Sequence, residues 1–255
     1  MEIRGTGAIV SGGASGLGEA TVRALARRGG VVTILDRDEE KARALADELG
    51  GPTSYAVGDV SDPEAVGRAV EQAAAGAPLR IDVNCAGIGW VQRTLSREGR
   101  PHDFEAFKTV IAVNLIGTFN VMTLAAAAIS KTEPSEGGER GVVVNTASVA
   151  AFEGQIGQLA YSASKGAIAA MTLPAARDLS AVGIRVNTIA PGVMDTPLLG
   201  LLPAGNTAAL GQGVLFPKRL GHPGEFADLV IAIIENGYLN GETIRLDGGL
   251  RMPPT

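Results

Sequence analysis

The chain is poor in the residues that most often carry metal or disulfide chemistry. It has one cysteine, Cys85, and two histidines, His102 and His222. A lone thiol permits no internal disulfide and no cysteine-cluster zinc site. The two histidines lack metal-ligand spacing, so no metal is expected. No G-x-S-x-G segment occurs, so the usual nucleophile elbow of a serine hydrolase is missing. No uninterrupted apolar run approaches ~18 residues, which predicts no membrane span. Net charge is −5 with no basic block, which argues against nucleic-acid binding and against a polybasic membrane contact. A strand-like segment begins by Gly7, which leaves no room for a signal peptide, and a cytoplasmic location is expected. Aromatic residues are only 4% of the chain, whereas glycines number 35. That balance points to tight turns and close helix–sheet contacts.

With 45% hydrophobic and 19% charged residues over 255 positions, the composition is that of one globular domain spanning 1–255. Short apolar runs alternate with helical periodicity. Strands are predicted at 7–11, 31–35, 55–57, 81–84, 142–144, 185–189 and 243–246. Helices are predicted at 17–29, 38–49, from a capping box at Ser61 to Glu64, at 103–129 and at 158–179. Strands that are solidly apolar and separated by helices imply an α/β fold. The expectation is a single Rossmann-type, doubly wound parallel sheet of seven strands with helices on both faces. Pro174 falls inside the 158–179 helix and should kink it or leave a bond open.

The first chemical signal lies between strand one and helix one, where Gly12, Gly16 and Gly18 are spaced G-x-x-x-G-x-G. Such a turn lets backbone N–H groups approach a pyrophosphate at a helix N-terminus. Glycine is abundant here, so placement carries more weight than spacing. Asp36 closes the second strand, where a carboxylate can take the ribose hydroxyls and repel a 2′-phosphate, favouring NAD over NADP. Arg37, beside it, is the competing phosphate partner. Asp59 and Val60 end the third strand as a polar–apolar pair suited to an adenine; otherwise Asp59 is an ordinary strand-end acid.

The second signal is Tyr161 with Lys165. Positions i and i+4 share a helix face. A phenol ordinarily titrates near 10, and an ammonium close by favours the phenolate. The pair is therefore a candidate proton donor and acceptor for an alcohol or carbonyl, and the expectation is a lowered Tyr161 pKa. Ser148 follows strand five at the end where open α/β sheets bind ligands, and its hydroxyl can polarise a carbonyl oxygen. Asn114 sits in an apolar helical stretch. It is either a satisfied core amide or the holder of a water relayed to Lys165.

Taken in order, Gly12-x-x-x-Gly16-x-Gly18, the run from Asn84 to Gly87, Asn114, Ser148, Tyr161-x-x-x-Lys165 and Pro191-Gly192 resemble the short-chain dehydrogenase/reductase family over essentially the whole chain. Within that family, the runs from Arg140 to Gln155, Pro217 to Gly221 and Gly241 to Asp247 look like the type-2 3-hydroxyacyl-CoA dehydrogenase group. Animal members of that group also oxidise hydroxysteroids. The resemblance implies NAD as cofactor, held by Gly12, Ser15, Gly16, Leu17, Gly18, Asp36, Asp59, Val60, Cys85, Ala86 and Gly87. It assigns Tyr161 and Lys165 to the nicotinamide ribose, and Pro191, Met194 and Thr196 to the nicotinamide end. It implies catalysis by Ser148, Tyr161, Lys165 and Asn114, substrate contacts at Ser148 and Gln155, and a homotetramer in which the Ala125–Ala128 turn could pack across an interface. Two departures stand out: Ser11 replaces the usual threonine before Gly12, and Cys85 replaces the second asparagine of Asn-Asn-Ala-Gly, as in that group.

Leucines at 198, 199, 201, 202 and 210, with Val214 and Phe216, suggest that residues 195–217 form a lid over an acyl pocket; a subunit contact is the alternative. The polar excursion from Gly89 to His102 carries Arg93, Arg97 and Arg100, which could meet the phosphates of coenzyme A or simply be solvated. The functional expectation is an NAD-dependent interconversion of a secondary hydroxyl and a ketone, most concretely 3-hydroxyacyl-CoA to 3-oxoacyl-CoA. An NADPH-dependent 3-oxoacyl-carrier-protein reductase and a non-catalytic dinucleotide sensor are the alternatives.

Overall fold

The computed structural model describes residues 1–201 and 213–254. Seven parallel strands form one sheet: β1 (Gly7–Ser11), β2 (Val31–Asp36), β3 (Ser54–Val57), β4 (Leu79–Asn84), β5 (Gly141–Thr146), β6 (Ile184–Pro191) and β7 (Thr243–Leu246). Their spatial order is β3-β2-β1-β4-β5-β6-β7. The chain winds outward from β1 in one direction and from β4 in the other. The crevice between those two strands is therefore the topological switch point, where such sheets bind ligands.

Helices cover both faces, which explains why β1, β5 and β6 are buried on every residue and not on alternate ones. One layer holds α1 (Gly16–Arg27), α2 (Glu39–Leu49) and α7 (Pro223–Glu235); the other holds α3 (Pro63–Gly76), α5 (Gly117–Ile129) and α6 (Leu159–Ser180). Helix starts are set by acidic caps. Asp38 accepts from the Lys41 N–H, Asp62 from Glu64, and Asp103, opening α4 (Phe104–Ile111), from Glu105 and Ala106. Each such cap is worth ~1 kcal/mol. The α3 cap is Asp62, one residue beyond the expected Ser61, because Pro63 at the first helical position leaves Asp62 in extended backbone.

Two helix expectations change in three dimensions. Helix α7 has no counterpart in the sequence reading, although its signals are present: Pro223 at the first turn, Glu225 accepting from the His222 N–H at 2.7 Å, and Phe226, Val230, Ile233 and Ile234 on a buried face. Full burial of Phe226 alone contributes roughly 2–3 kcal/mol. The helix expected at 103–129 carries a π-helical turn, Ala112–Ile116, between α4 and α5. This 26-residue stretch, Phe104–Ile129, is long and apolar enough to cross a membrane by length and composition alone, although polar residues interrupt it and half of its most apolar window is buried inside the fold. Its apolar character comes from two sides: one packs against β4 and α3, and the other leaves Ile116 and Phe119 about half exposed, at 49% and 51%. In the Ala125–Ala128 turn, Ala125 and Ala126 are buried inside the chain's own core, whereas Ala127 is exposed and Ala128 is half-buried. Helix α6 runs through Pro174 without a break.

Candidate active site

All seven strands point their carboxyl ends to one edge, and the sequence-flagged residues gather there. The glycine turn leaves β1 and enters α1. Gly12 has φ +64°, and a Cβ there would lie 2.6 Å from the backbone nitrogen of Ala86. The turn is thus packed directly on the Asn84–Gly87 segment, and only a residue without a side chain fits. Ser15 caps α1 without a side-chain bond, so the first-turn N–H groups of α1 are free for an anion. Asp36 accepts from the Ala14 N–H at 3.0 Å through one oxygen and from Asp38 at 3.1 Å through the other. Each carboxylate oxygen keeps a further lone pair. Arg37 is exposed beside it. Asp59 accepts from both the backbone and the hydroxyl of Ser61, which holds its carboxyl below the usual range. Val60 is buried against Gly117. These residues fit a dinucleotide: a backbone cradle, a helix end for phosphate and a carboxylate at the second strand for the ribose.

On the β4 side of the crevice, Ser11 Oγ donates to the side-chain oxygen Oδ1 of Asn84 at 3.0 Å, and the Asn84 Nδ2 donates to the side chains of Asp82 and Asn145. This polar ladder ties three strand ends together. Cys85 lies beside Thr146, and burial pushes its thiol up to about 12. It is a wall and not a nucleophile. Leu17 is half-buried against the core.

The proton-handling residues come from three elements. Ser148 lies just past β5, 8% exposed, and its hydroxyl accepts from the Ala150 N–H. Tyr161 and Lys165 are one turn apart on α6, with the Lys165 Nζ 5.9 Å from the phenol ring centroid. Lys165 donates to the Thr146 carbonyl at 2.7 Å. Burial lowers its pKa to about 8. Burial also raises the Tyr161 phenol, and the neighbouring Ser148 hydroxyl opposes that rise. The expected lowering of Tyr161 by Lys165 is therefore corrected. The ammonium is itself destabilised by burial and is aimed at a carbonyl, so desolvation dominates the phenol.

Asn114 is fully buried in the π-helical turn. Its amide oxygen accepts from the Ile88 N–H at 2.8 Å, and its nitrogen donates to the Ile88 carbonyl and to Ser164 Oγ. The side chain thus grips the segment leaving Gly87 and ties it to α6. The π turn explains the placement: the extra residue per turn presents a polar side chain inward from an otherwise apolar helix. Ser164, Thr146 and Ile88 are supporting residues that spacing did not reveal, since two of them act through backbone atoms.

At the far end, Pro191 closes β6 and Thr196 packs against the glycine turn near Gly16. The Met194 side chain packs on Gly221, and Met194 lines a cavity of about 180 Å³ with Val193, Val214 and Leu246. Gln155 is not free: its amide donates to the Pro253 carbonyl at 3.2 Å. Of the expected lid, residues 202–212 lie outside the described residues, along with Leu202 and Leu210; Val214 is buried and Phe216 is exposed. The 89–102 excursion is ordered by its own bonds, with a bridge between Leu95 and Pro101 and with Ser96 Oγ accepting from Glu98 and Arg100. Arg97 and Arg100 are exposed, and Arg100 pairs with Glu98 at 3.5 Å. Among the described residues no cluster could hold a metal.

Residues 6–206 match the family model described as short chain dehydrogenase. The chain is 51% identical to human 3-hydroxyacyl-CoA dehydrogenase type-2 over 255 residues, covering 99% of this chain and 97% of that protein. It is 48% identical to the Drosophila melanogaster protein of the same name, covering 99% and 100%. A crystal structure of 3-hydroxyacyl-CoA dehydrogenase type-2 from Mycobacterium avium superposes with a TM-score of 0.95 at 48% identity, covering both chains completely. A 3-ketoacyl-(acyl-carrier-protein) reductase from Brucella melitensis, complexed with NADH, superposes at 0.88 with 27% identity, covering 98% of this chain and 100% of that one.

Proposed function

This chain belongs to the short-chain dehydrogenase/reductase family, and on that premise we propose that it is an NAD-dependent oxidoreductase interconverting a 3-hydroxyacyl-CoA and the 3-oxoacyl-CoA. The observation that carries the reading is the convergence of Ser148, Tyr161 and Lys165 at the strand ends beside a glycine turn that can cradle a pyrophosphate. Full-length identity near one half to proteins of that name supports the substrate class.

Bound NAD supplies the hydride acceptor and, when oxidised, a positive charge. The rest is done by the chain. Gly12, Ser15, Gly16, Leu17 and Gly18 present backbone to the phosphates, and Asp36 takes the ribose hydroxyls. Ser148 holds the substrate oxygen, and Tyr161 accepts its proton during oxidation and returns it during reduction. Lys165 favours the phenolate when charged and offers its ammonium to a ribose. Asn114 keeps the Ile88 segment and α6 in register around them.

Asp36 favours NAD over NADP, against the reductase alternative. The test is a spectrophotometric screen of NAD and NADP reduction with 3-hydroxyacyl-CoA and with the corresponding carrier-protein thioester. NAD with the CoA ester is the expected pair, and Asp36→Ala should narrow the coenzyme preference severalfold. Preference of the native protein for NADPH would overturn the Asp36 assignment. We further propose a cytoplasmic homotetramer. The free Cys85 suits a reducing compartment, and the exposed apolar pair Ile116 and Phe119 supports association.

A further inference from the structure

The segment from Val149 to Gln158 joins Ser148 directly to the helix that bears Tyr161, so whatever holds it sets the relation between the two hydroxyls. Apart from one short helical turn, Val149–Ala151, it has no regular structure. It is nevertheless pinned from three directions. Arg245, on β7, forms a two-pronged pair with Glu153 at 3.1 and 3.2 Å. The same guanidinium reaches Asp247 at 2.8 Å and the Leu250 carbonyl at 3.0 Å, and lies over the Phe152 ring at 5.5 Å. The segment 251–254 then folds back over the loop. Met252 donates its N–H to Glu153 at 3.1 Å, the Pro254 carbonyl accepts from Ile156 at 2.9 Å, and the Pro253 carbonyl accepts from Gln155. Arg251 completes a charge-balanced quartet by pairing with Glu153 and Asp247. From the other side, Gln92 donates its N–H to the Gly157 carbonyl at 2.8 Å. The loop sits so tightly on α6 that a Cβ on Gly154 would collide with the Ser162 hydroxyl, next to Tyr161.

Solvated surface ion pairs contribute little. This one differs. It is two-pronged, Asp247 has a side-chain exposure of only 8%, and Glu153 also receives a backbone N–H. The bonds converge on one carboxylate whose loop carries no other long-range ionic anchor among the described residues. A device of this form gives position to a segment that local structure cannot.

We propose that Glu153 and Arg245 are positioning residues, which clamp the 152–158 loop and the 251–254 segment into one wall of the substrate cleft and thereby set the position of Ser148 relative to Tyr161. In its choice of substrate the proposal rests on the hydroxyacyl-CoA reading above. The clamp is distant in sequence and in strand order from the glycine turn and Asp36, so it leaves the residues assigned to the adenosine half of NAD untouched, although Asp247 packs on Gly192 beside Pro191.

The test uses the full chain with Glu153→Gln, which keeps shape and removes the charge, and Met252→Pro, which removes the N–H that Glu153 accepts, along with the Met252 side chain and its backbone freedom. Both should raise the KM for the hydroxyacyl-CoA by roughly ten- to a hundredfold, leave the NAD dissociation constant within about twofold, and change kcat less than KM. A merely structural role would lower the melting temperature with KM unchanged, and that result overturns the proposal. The single tryptophan, Trp90, bonds Gln92 at 3.2 Å and is a substrate-free reporter of the same wall. Its acrylamide quenching should increase in both variants, and unchanged quenching in both also overturns the clamp. If the wild-type chain turns over no hydroxyacyl-CoA, the functional reading fails, while the Trp90 measurement still decides the clamp.

Discussion

Tyr161 is the residue on which the chemistry turns. Burial raises its phenol, so in the chain alone the base form is disfavoured and oxidation should accelerate as pH rises through the alkaline range. Tyr161→Phe removes one oxygen and little else. Turnover should fall by about 10²–10⁴-fold, with NAD binding measured by fluorescence titration unchanged. A second residue has a consequence for stability. Asp82 is fully buried on β4, one of its oxygens has no partner, and burial lifts its pKa to about 7. A folded-state pKa above the unfolded value of 3.8 means that the folded chain holds the extra proton between those limits. Stability from this site is full at low pH and falls as pH rises toward 7, where ionisation becomes costly. Asp82→Asn removes the titration and keeps an acceptor for Asn84. Its stability relative to wild type should therefore improve by about 2 kcal/mol between pH 5 and pH 8.5, read from urea unfolding at the two values. Equal gaps at both pH values would show that Asp82 does not titrate there.

Among the connecting elements, the 89–102 excursion invites the sharpest test. It is polar, yet it is ordered by backbone and Ser96 bonds, and it holds Arg97 and Arg100 at the surface. Since Arg100 already pairs with Glu98, Arg97 is the freer phosphate partner. The double variant Arg97→Ala/Arg100→Ala should raise the KM selectively for a CoA substrate, by about tenfold for a lost charge-assisted phosphate contact, relative to a hydroxyl substrate without CoA. Equal effects on both substrates would make the loop a solvated one. Helix 104–129 teaches a different lesson at this scale. Its length and apolarity were readable, but the π turn was not, because no local propensity marks where one extra residue is accommodated. Only the bonds from Asn114 to Ile88 and Ser164 show why it is there.

The π turn and α5 leave apolar side chains uncovered by the chain's own fold. Phe119 and Ile116 are half-exposed on the π turn and α5, and Ala127 is exposed further along the same helix, while Ala125 and Ala126 are consumed by the core. If that face joins subunits, Phe119→Glu should convert a tetramer to smaller species in sedimentation velocity at micromolar concentration, with NAD binding retained. A wild-type monomer at that concentration would refute the assembly. Most of the architecture that creates this face was legible beforehand. Alternation of apolar runs with helical periodicity identified all seven strands and the parallel sheet, because two-sided burial leaves an unbroken apolar signature. The exception was α7, whose apolar stretch from Leu229 to Ile234 lacks polar interruption and hides its helical period.

By itself the sequence determined the chemistry of the site: the glycine turn, Asp36, Ser148, Tyr161 and Lys165 are local in motif, and each has a side-chain or backbone requirement that few other residues meet. The tertiary structure alone decided their electrostatics and their supports. Desolvation depends on everything packed around a group, so spacing could suggest that Lys165 lies near Tyr161 but could not show that burial outweighs the ammonium. The Arg245–Glu153 clamp joins residues ninety-two positions apart. Such a contact exists only because strand order sets β7 two places from β5, across β6, within reach of the segment that follows β5, and no periodicity along the chain encodes it.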